Sequence, residues 1–230
     1  MVGILADVSL GYLPVFGILA SLTLGYLLGA IPFGVVIARL AGGSDPRTVG
    51  SQRTGATNTV RALGPGWGLV VGLLDLAKGL VAAAAGAAIG SALGLVPEWL
   101  AAGSCVAAVT GHIRSVFIGF RGGRGVATAA GGFLVLVPLA LLLVIPLMGA
   151  VVAVTRYVSL GSIAGAVSAP LVVAALYLNG LASGADIAYS ALVGALIVLA
   201  HADNIARLRA GTERRIGDPR PAEPQPADPP

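Results

Sequence analysis

The sequence has little charge, one cysteine, two histidines and one lysine, and each shortage excludes a class of protein. Only 10% of its 230 residues are charged, whereas 57% are hydrophobic and the mean hydropathy is +0.93. A soluble domain carries about 25% charged residues, so this composition predicts an integral membrane protein. Cys105 alone cannot form an internal disulfide. Two histidines and few acidic residues do not supply a metal ligand shell, so we expect no metal and no cofactor.

The apolar residues lie in long continuous runs. An alternating pattern would be typical of a β-barrel, whereas continuous runs predict transmembrane helices, so the fold class is predicted to be all-α and polytopic. The predicted spans are residues 13–40, interrupted at Pro32, then 67–95, 99 to about 117, 129–154, 163–178 and 187–200. Asp75 and Lys78 lie three residues apart within the second span. We expect them to pair, because a lone charge is expensive at membrane depth.

The arginines predict the topology. They occur in four regions only, at residues 39–61, 114–124, 156 and 207–220. The positive-inside rule places all four in the cytoplasm, with the N-terminus outside. Arg124 and Arg156 then share a side, so residues 129–154 are expected to form two short helices that break near Pro138, giving about seven helices. Five spans with one re-entrant segment is the alternative. Residues 1–216 would form the membrane domain and the proline-rich residues 217–230 a disordered tail.

The stretch GHIRSVFIGFRGGRGVAT, residues 111–128, has the features of an anion site. Guanidinium groups bind phosphate oxygens in a forked geometry, and a glycine pair allows consecutive N–H groups to form an anion-binding nest. A helix beginning after Gly125 would add its positive end. RGGRG also occurs in RNA-binding segments, but its position between spans argues against nucleic acid. The predicted topology brings this stretch to one surface with the 41–65 loop, the segment after Arg156 and the segment from His201.

Four sequence pieces together resemble the bacterial acyl-phosphate:glycerol-3-phosphate acyltransferases, the PlsY family. They are GAIPFGVVIARLAGGSDPRTVGS with GATNTVRALG and DLAKG, then GHIRSVFIGFRGGRGVAT, RYVSLGS and HADNIARLRAGTE. The resemblance covers about residues 20–215. It implies a seven-helix enzyme of the bacterial inner membrane, with its active site facing the cytoplasm. The enzyme would transfer an acyl group from acyl phosphate to the 1-hydroxyl of glycerol 3-phosphate, in contact with membrane lipid and as a monomer or weak homo-oligomer.

The resemblance also implies the site residues Ser51, Arg61, Arg124, Ser162, His201 and Asn204. Our own hypothesis adds Arg121 and His112 and assigns the roles. Arg61, Arg121 and Arg124 would bind substrate, with Arg61 and Arg124 on phosphate. Ser51 and Ser162 would be donors, and His112 would organise its loop. His201 and Asn204 would orient the glycerol part or the attacking hydroxyl, and with Ser162 they form the expected catalytic group.

The chain departs from the family pattern at several of these motifs. Gln52 and Arg53 follow Ser51 where the family has Gly-Asn, arginines stand at 121 and 124 where it has lysines, and Ser115 replaces a proline. Two alternatives therefore stay open, a diverged acyltransferase with another acceptor and a transporter or channel for a small phosphorylated anion. The clustering of polar residues at one face, rather than at mid-membrane, argues against transport.

Overall fold

The computed structural model describes the backbone of residues 2–218 and the side chains of residues 13–218, and these residues form helices and connections without a strand. The ten helices of this part of the chain are α1 (Val2–Ala30), α2 (Phe33–Leu40), α3 (Ala56–Leu63), α4 (Pro65–Ala92), α5 (Pro97–Ile113), α6 (Val126–Leu136), α7 (Pro138–Thr155), α8 (Val158–Leu178), α9 (Gly184–Ala200) and α10 (Ala202–Arg209). The predicted all-α class is confirmed. Residues 219–230, most of the predicted tail, lie outside the described residues.

Prolines set several helix boundaries. Pro65, Pro97 and Pro138 each occupy the first turn of a helix, where the missing N–H costs nothing. Pro32 separates α1 from α2, because it cannot continue the hydrogen-bond ladder of α1. Arg156 separates α7 from α8 with a φ of 64°, a left-handed conformation that ends α7 and reverses the chain.

Helices α1, α4, α5 and α6 pack with their backbones in close contact at glycines. A Cβ atom on Gly29 of α1 would overlap the Ala108 carbonyl oxygen of α5. A Cβ atom on Gly79 of α4 would overlap the Thr128 carbonyl oxygen of α6. Only glycine fits these crossings, which is how small residues bring helices together in lipid. The crossings fix α6, and the loop before it, against α4 and α5.

Five helices among the described residues are long and apolar enough to cross a membrane: α1 from Leu13, α4, α5, α7 and α8. The sixth candidate is α9, which meets the charged α10 at a bend of 56°. Residues 129–154 divide between α6 and α7 at Val137, so the predicted break near Pro138 is confirmed. The expectation of two short helices holds only for α6, which has 11 residues, whereas α7 has 18 and is long enough to span. Pro146 lies inside α7 without ending it.

Candidate functional site

A cavity of about 460 Å³ opens between the 50–61 segment, α6, α7, α8, α9 and the chain after α10. One end is lined by arginine, serine, asparagine and histidine side chains. The other end is lined almost entirely by apolar and small residues of the membrane helices. The site therefore combines a charged compartment with an apolar one.

Arginines dominate the polar end. The five that line it are Arg53, Arg61, Arg124, Arg207 and Arg214. Burial and the neighbouring Arg214 guanidinium both lower the pKa of Arg61. Burial also lowers the pKa of Arg124, although Asp203 opposes the shift. Crowded cations of this kind favour a bound anion, since each additional negative charge relieves their mutual repulsion.

Asn58 shapes the loop that carries Ser51. Its side-chain Nδ2 lies 2.5, 3.0 and 2.8 Å from the carbonyl oxygens of Pro46, Val49 and Arg53, so its two hydrogens are shared among three acceptors, and its Oδ1 accepts from Ser51 N at 3.1 Å. A single buried amide thus satisfies carbonyl groups of the loop between α2 and α3, which contains only a short 3-10 helix at Pro46–Thr48. Gln52, one of the departures from the family pattern, has a φ of 56°, in the left-handed region that favours glycine.

The glycine loop before α6 does not form the predicted nest. Gly122 N donates to the Ile113 carbonyl at 3.0 Å and Gly123 N donates to the His112 carbonyl at 3.0 Å. These glycines satisfy carbonyls at the C-terminal end of α5, which would otherwise lack donors, so their N–H groups cannot bind an anion. The first turn of α6 remains available, because the N–H groups that begin a helix have no intrahelical acceptor. Gly125, Val126 and Ala127 line the cavity there.

Arg124 lies at this helix start and is held by a carboxylate. Its Nη2 donates to Asp203 Oδ2 at 3.0 Å, and Arg207 Nη1 lies 3.3 Å from the same oxygen. Within residues 13–218, Arg124 Nε is buried without a hydrogen-bond partner. The side chain as a whole is 18% exposed and lines the cavity, so its guanidinium can bind one more acceptor, such as a phosphate oxygen.

Glu213 organises the other side of the polar end. Its Oε1 accepts from Ser159 Oγ at 2.7 Å and from Asn204 Nδ2 at 2.6 Å, and its Oε2 accepts from Arg207 Nε at 2.7 Å. Burial alone would raise the pKa of Glu213, but the bonds from Ser159, Arg207 and Asn204 outweigh burial and lower it. The carboxylate therefore joins α8, α10 and the segment after α10 into one wall.

His201, directly after α9, and Ser162 of α8 both line the cavity. His201 Nδ1 lies 2.8 Å from the Ile197 carbonyl oxygen, which can only accept, so Nδ1 carries the proton. In the neutral ring, Nε2 then offers a lone pair. Ser162 Oγ donates to the Val158 carbonyl at 3.0 Å, which leaves its oxygen free to accept. Both side chains are at least nine-tenths buried.

The apolar end continues from Ser162 between the membrane helices. Ala166 and Ala169 follow Ser162 along one face of α8, opposite Val144 and Met148 of α7. The stretch from Ser162 to Ala169 covers about 10 Å of helix. A ligand whose charged group lies among the arginines can therefore extend a hydrocarbon chain into this part of the cavity.

Comparison with known proteins shows to which family this chain belongs. The family model described as glycerol-3-phosphate acyltransferase matches residues 19–211. The chain belongs to the glycerol-3-phosphate acyltransferase family.

Relatives with this name match most of the chain. A protein from Thermus thermophilus is 43% identical over 195 residues, covering 84% of this chain and 92% of its own. The protein from Geobacter sulfurreducens is 42% identical over 190 residues, covering 83% and 93%. Two crystal structures of PlsY, an integral membrane glycerol 3-phosphate acyltransferase, are also similar. Its glycerol 3-phosphate form has a TM-score of 0.77 and 38% identity, covering 87% of this chain and 96% of that one. Its lysophosphatidic acid form has a TM-score of 0.75 and 37% identity, covering 87% and 95%.

The structure of this family member brings most of the expected site residues together. The cavity is lined by Ser51, Arg61, His112, Arg124, Ser162, His201 and Asn204. Arg121 is different, because it is exposed and is not among the lining residues. The glycine loop turns between Arg121 and Arg124, so only the second arginine reaches the cavity.

Sequence reasoning missed Glu213. The residue lies inside the quoted HADNIARLRAGTE motif, yet only its contacts show that it holds Ser159, Asn204 and Arg207 together. An available indication was its position as a lone carboxylate within the arginine-rich stretch from Arg207 to Arg215.

Proposed function

We propose that this protein transfers the acyl group of an acyl phosphate to the 1-hydroxyl of glycerol 3-phosphate, giving lysophosphatidic acid and inorganic phosphate. The cavity carries the proposal, because an arginine-lined compartment continues directly into an apolar one. Both substrates carry a phosphate, and one also carries a long hydrocarbon chain. The PlsY structures in glycerol 3-phosphate and lysophosphatidic acid forms support the same acceptor and product.

In a direct transfer, different residues bind the phosphate, position the attacking hydroxyl and hold the glycerol part. Arg61 and Arg124 bind phosphate oxygens, and the first turn of α6 assists Arg124. His201 Nε2 accepts a hydrogen bond from the attacking hydroxyl, and Asn204 fixes the glycerol part. As the hydroxyl oxygen bonds to the acyl carbon, the carbon–oxygen bond to phosphate breaks, and the hydroxyl proton ends on the released phosphate. Phosphate is a good leaving group, so positioning and charge stabilisation carry most of the catalysis.

Ser51 and Ser162 complete the polar contacts. The Ser51 loop, held by Asn58, brings the Ser51 side chain to the cavity. Ser162 already donates to a carbonyl, so we assign it as an acceptor for a substrate hydroxyl. The acyl chain lies along Ala166 and Ala169. All these groups belong to one chain, which supports a catalytically complete monomer.

The topology forms part of the proposal. With α6 counted as a short seventh helix, the N-terminus lies outside and the arginine-lined end faces the cytoplasm of the bacterial inner membrane. At 11 residues, α6 covers about 16 Å, roughly half of the hydrocarbon thickness. Its polar N-terminal end would then lie inside the membrane boundary, where water is excluded and the pull of arginines on phosphate is strengthened.

Phosphate release by the purified protein tests the function. Palmitoyl phosphate and glycerol 3-phosphate would be supplied in detergent, with each omitted in turn and the lipid product identified by mass spectrometry. We expect release that needs both substrates, and lysophosphatidic acid as the product. Arg61→Gln should abolish most turnover, whereas Arg47→Gln, on the same loop but paired with Asp45 outside the cavity, should retain it.

The same assay addresses the remaining alternatives. A transporter would move anion only in vesicles and would release no phosphate in detergent, and family membership already disfavours it. If release occurs without glycerol 3-phosphate dependence, other phosphorylated polyols would be offered as acceptors. A preference for one of them would assign the departures at Gln52 and Arg53 to acceptor choice.

A further inference from the structure

A cluster of three ionisable side chains lies buried beneath the glycine loop, and the proposed transfer does not use two of them. Asp75 and Lys78 of α4 pair at 2.9 Å between Oδ1 and Nζ, which confirms the pairing predicted from the sequence. His112 Nδ1 of α5 lies 3.4 Å from the same Asp75 oxygen. All three residues are at least nine-tenths buried. Asp75 and His112 also line the cavity.

The cluster connects the helix break at Pro32 with the loop that carries Arg124. Lys78 Nζ donates at 3.2 Å to the carbonyl of Ile31, which Pro32 has removed from the regular ladder of α1. On the other side, the His112 ring occupies the space beside Gly123. A Cβ atom there would overlap the ring at Nε2, and the His112 carbonyl accepts the Gly123 N–H. Gly123 directly precedes Arg124, so the orientation of the His112 ring determines the position of the backbone from which the Arg124 side chain extends.

We propose that Asp75 is a positioning residue, which holds His112 so that the glycine loop presents Arg124 and the start of α6 to the substrate phosphate. This inference rests on the proposed function for its kinetic part only. Asp75 Oδ1 orients the His112 ring through Nδ1, while Lys78 Nζ pairs with the same oxygen. Loss of the carboxylate frees the ring, the loop shifts, and the anion site loosens.

Stabilisation of the fold by a buried ion pair does not explain this arrangement. A buried ion pair is expensive to desolvate, and apolar residues of the same shape are often as stable or more stable. A pair that served packing alone would also need no third partner. Here one carboxylate oxygen faces both Lys78 and a histidine that touches the glycine loop.

The test uses variants that separate charge burial from positioning. Asp75→Asn with Lys78→Met removes both charges together, so no unpaired charge stays buried and the protein should fold. We expect unfolding close to the wild-type temperature, with kcat/KM for acyl transfer reduced about tenfold. Asp75→Glu keeps the charge but moves the carboxylate by one methylene, and it should raise KM for the phosphate-bearing substrate.

Ser104→Ala is the control, because it removes a buried Ser21–Ser104 hydrogen bond away from the cavity. It should lower the unfolding temperature and leave the kinetics unchanged.

A binding measurement keeps the inference independent of turnover. Inorganic phosphate, added to the detergent-solubilised protein, should raise the unfolding temperature of wild type and of Ser104→Ala, since a ligand stabilises the folded state that binds it. Inorganic phosphate should raise the unfolding temperature of the two Asp75 variants much less. A wild type that binds phosphate but transfers no acyl group would refute the proposed function and leave the positioning role standing. Wild-type kinetics and wild-type phosphate stabilisation in both Asp75 variants would overturn the positioning role. If the double variant does not fold, Asp75→Glu alone decides in the same way.

Discussion

Glu213 gives the sharpest prediction, because three hydrogen bonds from the cavity wall end on one carboxylate. Glu213→Gln keeps the Oε1 acceptor for Ser159 and Asn204 but places an N–H donor against Arg207. A bond between charged groups contributes about 1.5–3 kcal/mol. We take the lower end, because the Arg207 side chain is 36% exposed and solvent screens its charge. The expected destabilisation is about 1.5 kcal/mol, or about 5 °C in unfolding temperature.

Glu213→Ala should cost more. It also removes the acceptor for Ser159 and Asn204, at about 1 kcal/mol each, so the total is about 3–4 kcal/mol and about 10 °C. Activity should fall with both variants, because Asn204 and Arg207 lose their fixed positions in the cavity. The order of effects, Ala greater than Gln, follows from how many bonds each substitution breaks.

Thermal unfolding in detergent and acyl-transfer kinetics on the same samples measure both effects. Asp45→Asn is the matched control, since Asp45 also accepts from an arginine, but through a local surface pair with Arg47. A local pair of this kind contributes about 0–1 kcal/mol, so the control should change little. If Glu213→Gln unfolds at the wild-type temperature with wild-type turnover, the carboxylate does not hold the wall together and the reasoning fails.

Three further predictions follow from the same geometry. The hydrogen bonds to Glu213 lower its pKa, so the ionised side chain stabilises the protein above a pH of about 4.5 and loses this contribution as the pH falls through the folded-state pKa. The difference in unfolding temperature between wild type and Glu213→Gln should therefore close in acid. A difference that stays constant with pH would contradict this prediction. His201→Ala should lower kcat at least about tenfold, measured by phosphate release, and unchanged kinetics would remove its role. Ala169→Phe should shorten the preferred acyl chain in competition between palmitoyl and decanoyl phosphate, whereas Leu171→Phe, 69% exposed on the same helix, should not.

Periodic and compositional features of the sequence predicted the fold class, whereas the site residues came from the resemblance of its motifs. Continuous apolar runs predicted the helices, and Pro138 predicted the break that the structure places at Val137. The pairing of Asp75 with Lys78 followed from their spacing on one helix face. Local motifs also singled out Ser51, Arg61 and Arg124, which the structure brings to one cavity. These features are local in the chain, and helix periodicity and the cost of a lone charge in lipid act within one or two turns.

The errors arose where a contact between distant segments decided the outcome. The N–H groups of Gly122 and Gly123 were expected to bind an anion, but carbonyls of α5 already accept from them. Arg121 was placed among the substrate-binding residues; the turn of its loop leaves it exposed and outside the lining of the cavity, so its role stays a prediction. Glu213 was passed over, because its three partners lie 54, 9 and 6 residues away and nothing in the local pattern shows that they meet.

By itself the sequence determined that this is a helical membrane protein with arginine-rich polar stretches, because hydropathy and charge are properties of composition and order. Only the tertiary structure decided which arginines share a cavity, which amide groups remain free and which carboxylate holds the wall. Those choices depend on glycine crossings such as Gly79 against Thr128, where helix backbones meet without a side chain between them. A crossing of this kind sets distances between residues remote in sequence, and no local pattern specifies them.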